Sequence, residues 1–119
     1  MDENTQRLFQ EANQARLSGD YDQALPLLQQ ALEACPESPQ CLWAMGHVLL
    51  NTGLFEEAIA SLEKAVELDA GNALYVLDLA KSLEMLGEFE RAKPMLEKVV
   101  EMEPGSRHAD EARKSLRYY

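Results

Sequence analysis

The stretch GLFEEA at residues 53–58 occurs three times in this chain in closely related form. GDYDQA occupies residues 19–24, and GEFERA occupies residues 87–92. Neighbouring copies start 34 residues apart, with no insertion between them. A fixed period of this length indicates an array of similar supersecondary units.

Each copy predicts two amphipathic helices. An apolar-periodic stretch of about fourteen residues precedes the glycine, and another follows the aromatic residue. The glycine is expected to end the first helix in a left-handed conformation, which lets the chain turn back. We therefore predict an all-α chain of seven helices without a strand. The copies span residues 5–38, 39–72 and 73–106, with first helices near 5–18, 39–52 and 73–86.

Small residues recur at three positions of the copies, where close helix crossing requires them. They are Ala12, Gly46 and Ala80 at position eight, Ala24, Ala58 and Ala92 at position twenty, and Ala31, Ala65 and Val99 at position twenty-seven. Tyr21, Phe55 and Phe89 follow each turn, and we expect them to wedge between successive hairpins.

The combination resembles the tetratricopeptide repeat over residues 5–106. It has a small residue at position eight, Gly at fifteen, an aromatic residue at seventeen, Ala at twenty and often Pro at thirty-two. The resemblance implies a right-handed superhelical array of helical hairpins whose concave groove is lined by the first helices. Residues 107–119 continue the register with an apolar seam of Ala109, Ala112 and Leu116, which predicts a capping helix. Residues 1–119 would then form one domain.

The resemblance also implies where a peptide would bind, because groove-facing side chains of the family come from fixed positions of the first helices. The candidate groove residues in this sequence are Phe9, Asn13, Arg16, Trp43, His47, Leu50, Asn51, Leu77, Lys81 and Met85. Three of them, Phe9, Trp43 and Leu77, share position five and predict an apolar row along the groove floor. We predict that Trp43 is partly exposed there, although a core position for this side chain remains the alternative.

One known mode of peptide recognition does not fit. Family members that grip the terminal carboxylate of chaperones resemble a clamp of two Lys, two Asn and one Arg. Only Asn13 matches here, and an acid, Asp78, stands at the place of the Arg. Without those cations a carboxylate would lose its charge-assisted hydrogen bonds.

Catalysis and cofactor binding have little support in the sequence. His47 and His108 lie far apart, the glycines end helices instead of forming a phosphate loop, and Cys35 and Cys41 lack the spacing of a zinc site. We therefore expect no enzymatic activity, no cofactor and no metal. The net charge of −10 argues against binding to nucleic acid or to anionic membranes. With no signal peptide or apolar span in the sequence, we expect a cytoplasmic location.

The sequence thus predicts a protein–protein interaction module, an adaptor, scaffold or chaperone-like protein, that binds a peptide with apolar anchors. We expect a monomer or a weak homo-oligomer. The alternative is a self-assembly module whose groove is filled by a neighbouring subunit, for example by its Tyr118 and Tyr119. A third, minor hypothesis is a zinc or redox role of Cys35, Cys41 and His47.

Overall fold

The computed structural model describes all 119 residues and contains seven α-helices and no strand. The helices are α1 (Glu3–Leu17), α2 (Tyr21–Ala34), α3 (Pro39–Asn51), α4 (Phe55–Leu68), α5 (Ala73–Met85), α6 (Phe89–Met102) and α7 (Arg107–Leu116). Helix number and class confirm the prediction, and the first helices end within a residue or two of the predicted bounds.

Local chemistry explains where the helices begin and end. Asp2, Ser38, Asn72 and Ser106 each accept a hydrogen bond from a backbone N–H in the first turn of α1, α3, α5 and α7. Such caps satisfy N–H groups that have no partner within the helix. The glycines between α1 and α2, α3 and α4, and α5 and α6 have φ values of 78°, 84° and 76°, which favour glycine. The chain therefore turns in the same way three times.

The small residues lie at the helix crossings, as the period predicts. Those at positions eight, twenty and twenty-seven are all buried. At Gly46 an added Cβ would lie 2.6 Å from Cγ of Leu62. The backbone of α3 is therefore in direct contact with the Leu62 side chain of α4. Tyr21 and Phe55 are half-buried, as expected of wedges between hairpins. Phe89 is 53% exposed, which corrects the expectation, because no complete hairpin follows α6.

The helices form an array in which the first helices line one face. Each of α1, α3 and α5 contacts the first helix that follows it, whereas α2, α4 and α6 do not contact one another. The side with contacting helices is therefore the inner, concave face. Helix α7 packs on α5 and α6 and buries Ala109 and Ala112. None of the seven helices combines the length and the apolar character that a membrane span requires.

Candidate functional site

Trp43 lies at the centre of the concave face and links three first helices. Its indole Nε1 donates a hydrogen bond to Oδ2 of Asp78 on α5 at 2.6 Å. The ring stacks on Tyr75 of α5, with centroids 5.7 Å apart and planes inclined by 22°. The guanidinium carbon of Arg16, on α1, lies 4.6 Å from the ring centroid, within the range of a cation–π interaction. One side chain of α3 therefore joins α1 to α5.

Arg16 is held in this position by its own helix and by α3. Its Nε and Nη2 donate to Oδ1 of Asn13 at 3.0 and 2.6 Å, and its Nη1 lies 3.4 Å from Nδ1 of His47. Only 9% of the residue is exposed. Burial lowers the pKa of Arg16, and the charge of Asp78 opposes that shift. An arginine nevertheless stays charged in proteins, so the cluster keeps a fixed cation.

Asp78 is a half-buried carboxylate without a salt bridge. Its one direct partner is the indole N–H, and no Lys, Arg or His nitrogen lies within 4.0 Å of it. Burial raises the pKa of Asp78, while the Trp43 hydrogen bond and the nearby His47 and Lys81 act in the opposite direction. The concave face thus contains a negative charge that its own chain compensates only at longer range.

His47 completes the cluster, and its surroundings favour the neutral imidazole over the charged one. Burial, and then the charge of Arg16, lower the pKa of this imidazole below its ordinary value. The neutral ring can accept the Arg16 N–H at Nδ1, and the ring centroid lies 6.0 Å from that of Trp43. Asn51, one turn further along α3, donates to the His47 carbonyl at 2.8 Å.

An ion pair extends the polar network to the last helix. Lys81 on α5 pairs with Glu111 on α7, and this hydrogen-bonded cation lowers the pKa of Glu111. Polar side chains of α1, α3, α5 and α7 therefore follow one another across the whole concave face.

The structure corrects the predicted groove in two respects: Leu77 does not lie in it, and its floor is not an apolar row. Leu77 is only 1% exposed and packs in a core cluster with Val76, Leu96 and Ala112, because α7 covers this part of α5. The row through position five therefore stops at Trp43. Phe9 and Leu50 are half-buried against the core, and Met85 is exposed at the end of α5. The floor of the groove is an aromatic and charged cluster, not an apolar row.

From the sequence, Asp78 stood out only as the acid at the place of the Arg of a carboxylate clamp. The position of Asp78 in the repeat could have indicated that this residue is unusual. Position six carries Gln10 and Ala44 in the first two copies, so Asp78 is the one charged residue at this position. Tyr75 gave no such signal, because a buried aromatic residue on a helix is ordinary core.

The cysteines do not form a site with His47. Cys41 is fully buried, burial raises the pKa of its thiol, and its Sγ lies 3.7 Å from Sδ of Met1. His47 is bonded to Arg16 in the Trp43 cluster. No group of three His, Cys, Asp or Glu side chains is arranged to hold a metal ion.

The model of one protein family matches most of the chain. This model, the tetratricopeptide repeat, matches residues 15–75 and 53–116. The chain belongs to the tetratricopeptide repeat family. Domains of this family are as a rule non-catalytic and bind other proteins, although some enzymes also contain them, so the chain is a protein–protein interaction module.

Solved structures agree with this assignment. Two structures of MamA, one a mutant and one from AMB-1, are each 30% identical to this chain, with TM-scores of 0.78 and 0.79. The matches cover 85% and 87% of this chain and 74% and 62% of those chains. The first TPR of Spaghetti (RPAP3), bound to the HSP90 peptide SRMEEVD, is 23% identical and has a TM-score of 0.84. That match covers 92% of this chain and 88% of the other, and it shows the fold alone. Curated protein sequences contain no significant match.

Proposed function

We propose that this module holds a peptide segment of a partner protein on its concave face, centred on Trp43 and Asp78. The observation that carries the proposal is the half-buried Asp78 carboxylate, whose only direct hydrogen bond comes from Trp43. A charge that lacks a close counter-ion is costly to bury, and a ligand that supplies a donor or a cation offsets part of that cost. Phe9 on α1 and Leu50 on α3 are half-exposed and offer apolar contacts to other parts of the segment.

The same charges define the segment that fits. Trp43 has Arg16 on its ring and Tyr75 stacked against it, so it is not free to act as a large apolar anchor. The partner that we propose therefore presents a Lys or Arg, or an uncharged donor, to Asp78, with apolar side chains next to it. An acidic chain end does not fit, because it would face the Asp78 carboxylate and the cations of a carboxylate clamp are missing. A location in the cytoplasm remains part of the proposal and rests on the sequence alone.

The alternative in which a neighbour's tail fills the groove receives no support from the position of the last tyrosine. The hydroxyl of Tyr119 donates to Oε2 of Glu84 at 2.9 Å, and its ring meets Phe89 edge-on with centroids 6.1 Å apart. This side chain therefore packs on its own subunit. Light scattering over a range of concentrations tests the alternative directly, because growth of the particle mass would demonstrate self-association.

The test compares wild type with Asp78→Asn in a binding screen. Asparagine keeps an oxygen that accepts the Trp43 hydrogen bond but removes the charge. A matched control is Glu97→Gln, which removes an exposed charge from α6 on the outer side of the array. The probe is a synthetic peptide library in which one central position is fixed as Arg, Lys, Leu or Glu.

We expect wild type and Glu97→Gln to select Arg or Lys at the fixed position, and Asp78→Asn to lose that preference. Trp43 emission should change when the selected peptide binds. Selection of Glu, or equal selection by the Asp78→Asn variant, would contradict the proposed role of the carboxylate.

A further inference from the structure

A second surface of the protein is apolar and lies away from the concave face. Of the large hydrophobic side chains that are exposed, seven lie at the turns between first and second helices or at the end of the chain. All of these except Leu17, at the turn of the first hairpin, belong to the last two hairpins and the residues after α7. We call this surface the hairpin edge; it consists of Leu54, Met85, Leu86, Phe89, Tyr118 and Tyr119. The turns between successive hairpins form the opposite edge of the array, where Leu68 is the one exposed large hydrophobic residue of a helix end.

The hairpin edge is shaped as a ridge between two hollows. The turn from α5 to α6 forms the ridge, with Leu86 on one side and Phe89 on the other. A hollow of about 310 Å³ lies between Leu86 and the turn that carries Leu54 and Phe55. A hollow of about 480 Å³ lies between Phe89 and the end of α7, with Tyr118 and Tyr119 in its wall. Each is large enough to take apolar side chains of a partner.

The rim of this surface is acidic. Glu56 and Glu57 line the first hollow, and Glu84 lines the second. Neither Glu56 nor Glu57 forms a salt bridge, and neither does the exposed Glu90 at the start of α6. Lys114 is the one basic residue that lines either hollow. The surface therefore combines exposed apolar groups with carboxylates that form no salt bridge.

We propose that the hairpin edge binds a basic amphipathic helix of a partner protein. Its apolar side chains would enter the two hollows on either side of the ridge, and its Lys or Arg residues would pair with Glu56, Glu57 and Glu84. Complementary charge of this kind steers association and excludes partners of the wrong sign. A second copy of this chain is disfavoured as the occupant, because its net charge is −10 and its own hairpin edge carries the same carboxylates.

The probe for this site is a fluorescein-labelled model helix of leucine and lysine with its leucines on one face. An analogue with glutamate in place of lysine tests the charge requirement. The site variant is Leu54→Ser with Leu86→Ser, two side chains that are 44% and 38% exposed. Leu68→Ser is the matched control, because Leu68 is 40% exposed and lies on the opposite edge. Circular dichroism verifies that each variant keeps its helices.

We expect the double variant to bind the lysine peptide about tenfold or more weakly than wild type, which is the effect of losing one or two central contacts. Leu68→Ser should bind it as wild type does, and the glutamate analogue should not bind. Glu56→Gln with Glu57→Gln should also weaken binding, more than Glu97→Gln with Glu101→Gln on the outer side of α6.

Trp43 emission distinguishes this site from the concave face. Binding at the hairpin edge should leave that emission unchanged and should be insensitive to Asp78→Asn. Unchanged affinity of the Leu54/Leu86 variant, an equal loss in Leu68→Ser, or a Trp43 signal that accompanies binding would each overturn the proposal. The first two outcomes leave peptide binding at the concave face unaffected, whereas a Trp43 signal would place the model helix on the concave face instead of the hairpin edge.

Discussion

Replacement of Trp43 by Phe tests whether the concave face depends on the bond between the indole and Asp78. Phe keeps an aromatic ring beneath Arg16 and next to Tyr75 but removes the N–H that bonds Asp78 at 2.6 Å. The carboxylate is then half-buried without any direct partner. A hydrogen bond to a charged group contributes about 1.5–3 kcal/mol, and the weaker cation–π contact adds a fraction of about 1 kcal/mol. We expect Trp43→Phe to lower the free energy of unfolding by about 2–3 kcal/mol.

The companion variant Asp78→Asn separates the charge from the bond. Its amide oxygen still accepts the indole N–H, and it no longer buries a charge, so we expect a change within about 1 kcal/mol. In the Asp78→Asn background, Trp43→Phe leaves a neutral amide, not a carboxylate, without its hydrogen-bond donor. The loss of unfolding free energy caused by Trp43→Phe should then be smaller by about 1 kcal/mol, a coupling within the range for residues in contact.

The assay is urea unfolding followed by circular dichroism at 222 nm, because the variants without Trp43 have no tryptophan fluorescence. All four members of the cycle are measured at the same neutral pH. If Trp43→Phe costs the same in both backgrounds within about 0.5 kcal/mol, the bond and the charge are not coupled. If Trp43→Phe leaves the free energy of unfolding of the wild-type background unchanged, the description of Trp43 as the link between α3 and α5 is wrong.

Three further predictions follow from the packing and the charges. Gly46→Ala should destabilise the fold by about 1–3 kcal/mol in urea unfolding, because its Cβ would lie 2.6 Å from Leu62, whereas Gly71→Ala, with nothing within 4 Å, should not. Deletion of residues 107–119 should lower the melting temperature by exposing the core cluster that includes Leu77, and an unchanged melt would show that α7 is not a cap. Because burial lowers the pKa of His47, its contribution to stability is complete above the unfolded imidazole value of 6.5 and is lost as the pH falls through the lower, folded value. Urea midpoints of wild type should therefore fall from pH about 7.5 to about 5 more steeply than those of His47→Gln, and parallel curves would contradict the shift.

Several properties of the fold could be predicted from the sequence because their causes act within one hairpin. The glycine that ends each first helix, the small residue at each crossing and the amphipathic pattern all operate between residues of the same 34-residue copy. A fixed period then repeats the result, so seven helices and their approximate ends follow without knowledge of distant contacts. The packing of α7 against the third hairpin was also predictable, since its apolar seam continues the register.

The concave face was predictable only in outline. The positions of Asn13, Arg16, Trp43, His47 and Lys81 on first helices followed from the repeat, but their partners did not. Trp43 meets Asp78 across 35 residues of sequence, and this pairing depends on how far one hairpin rotates against the next. A helical pattern shows which residues share a face, but it does not show which of them bond.

Burial at the end of the array was likewise a matter of tertiary structure. Leu77 occupies the same position of its copy as Trp43, yet α7 packs over it and removes it from the groove. Phe89 occupies the same position as Phe55, yet it is exposed because no complete hairpin follows α6. The repeated sequence determined the helical hairpin that this protein is built from. The neighbours of each hairpin determined which of its side chains reach solvent, because exposure is a property of the packed array and not of the single hairpin.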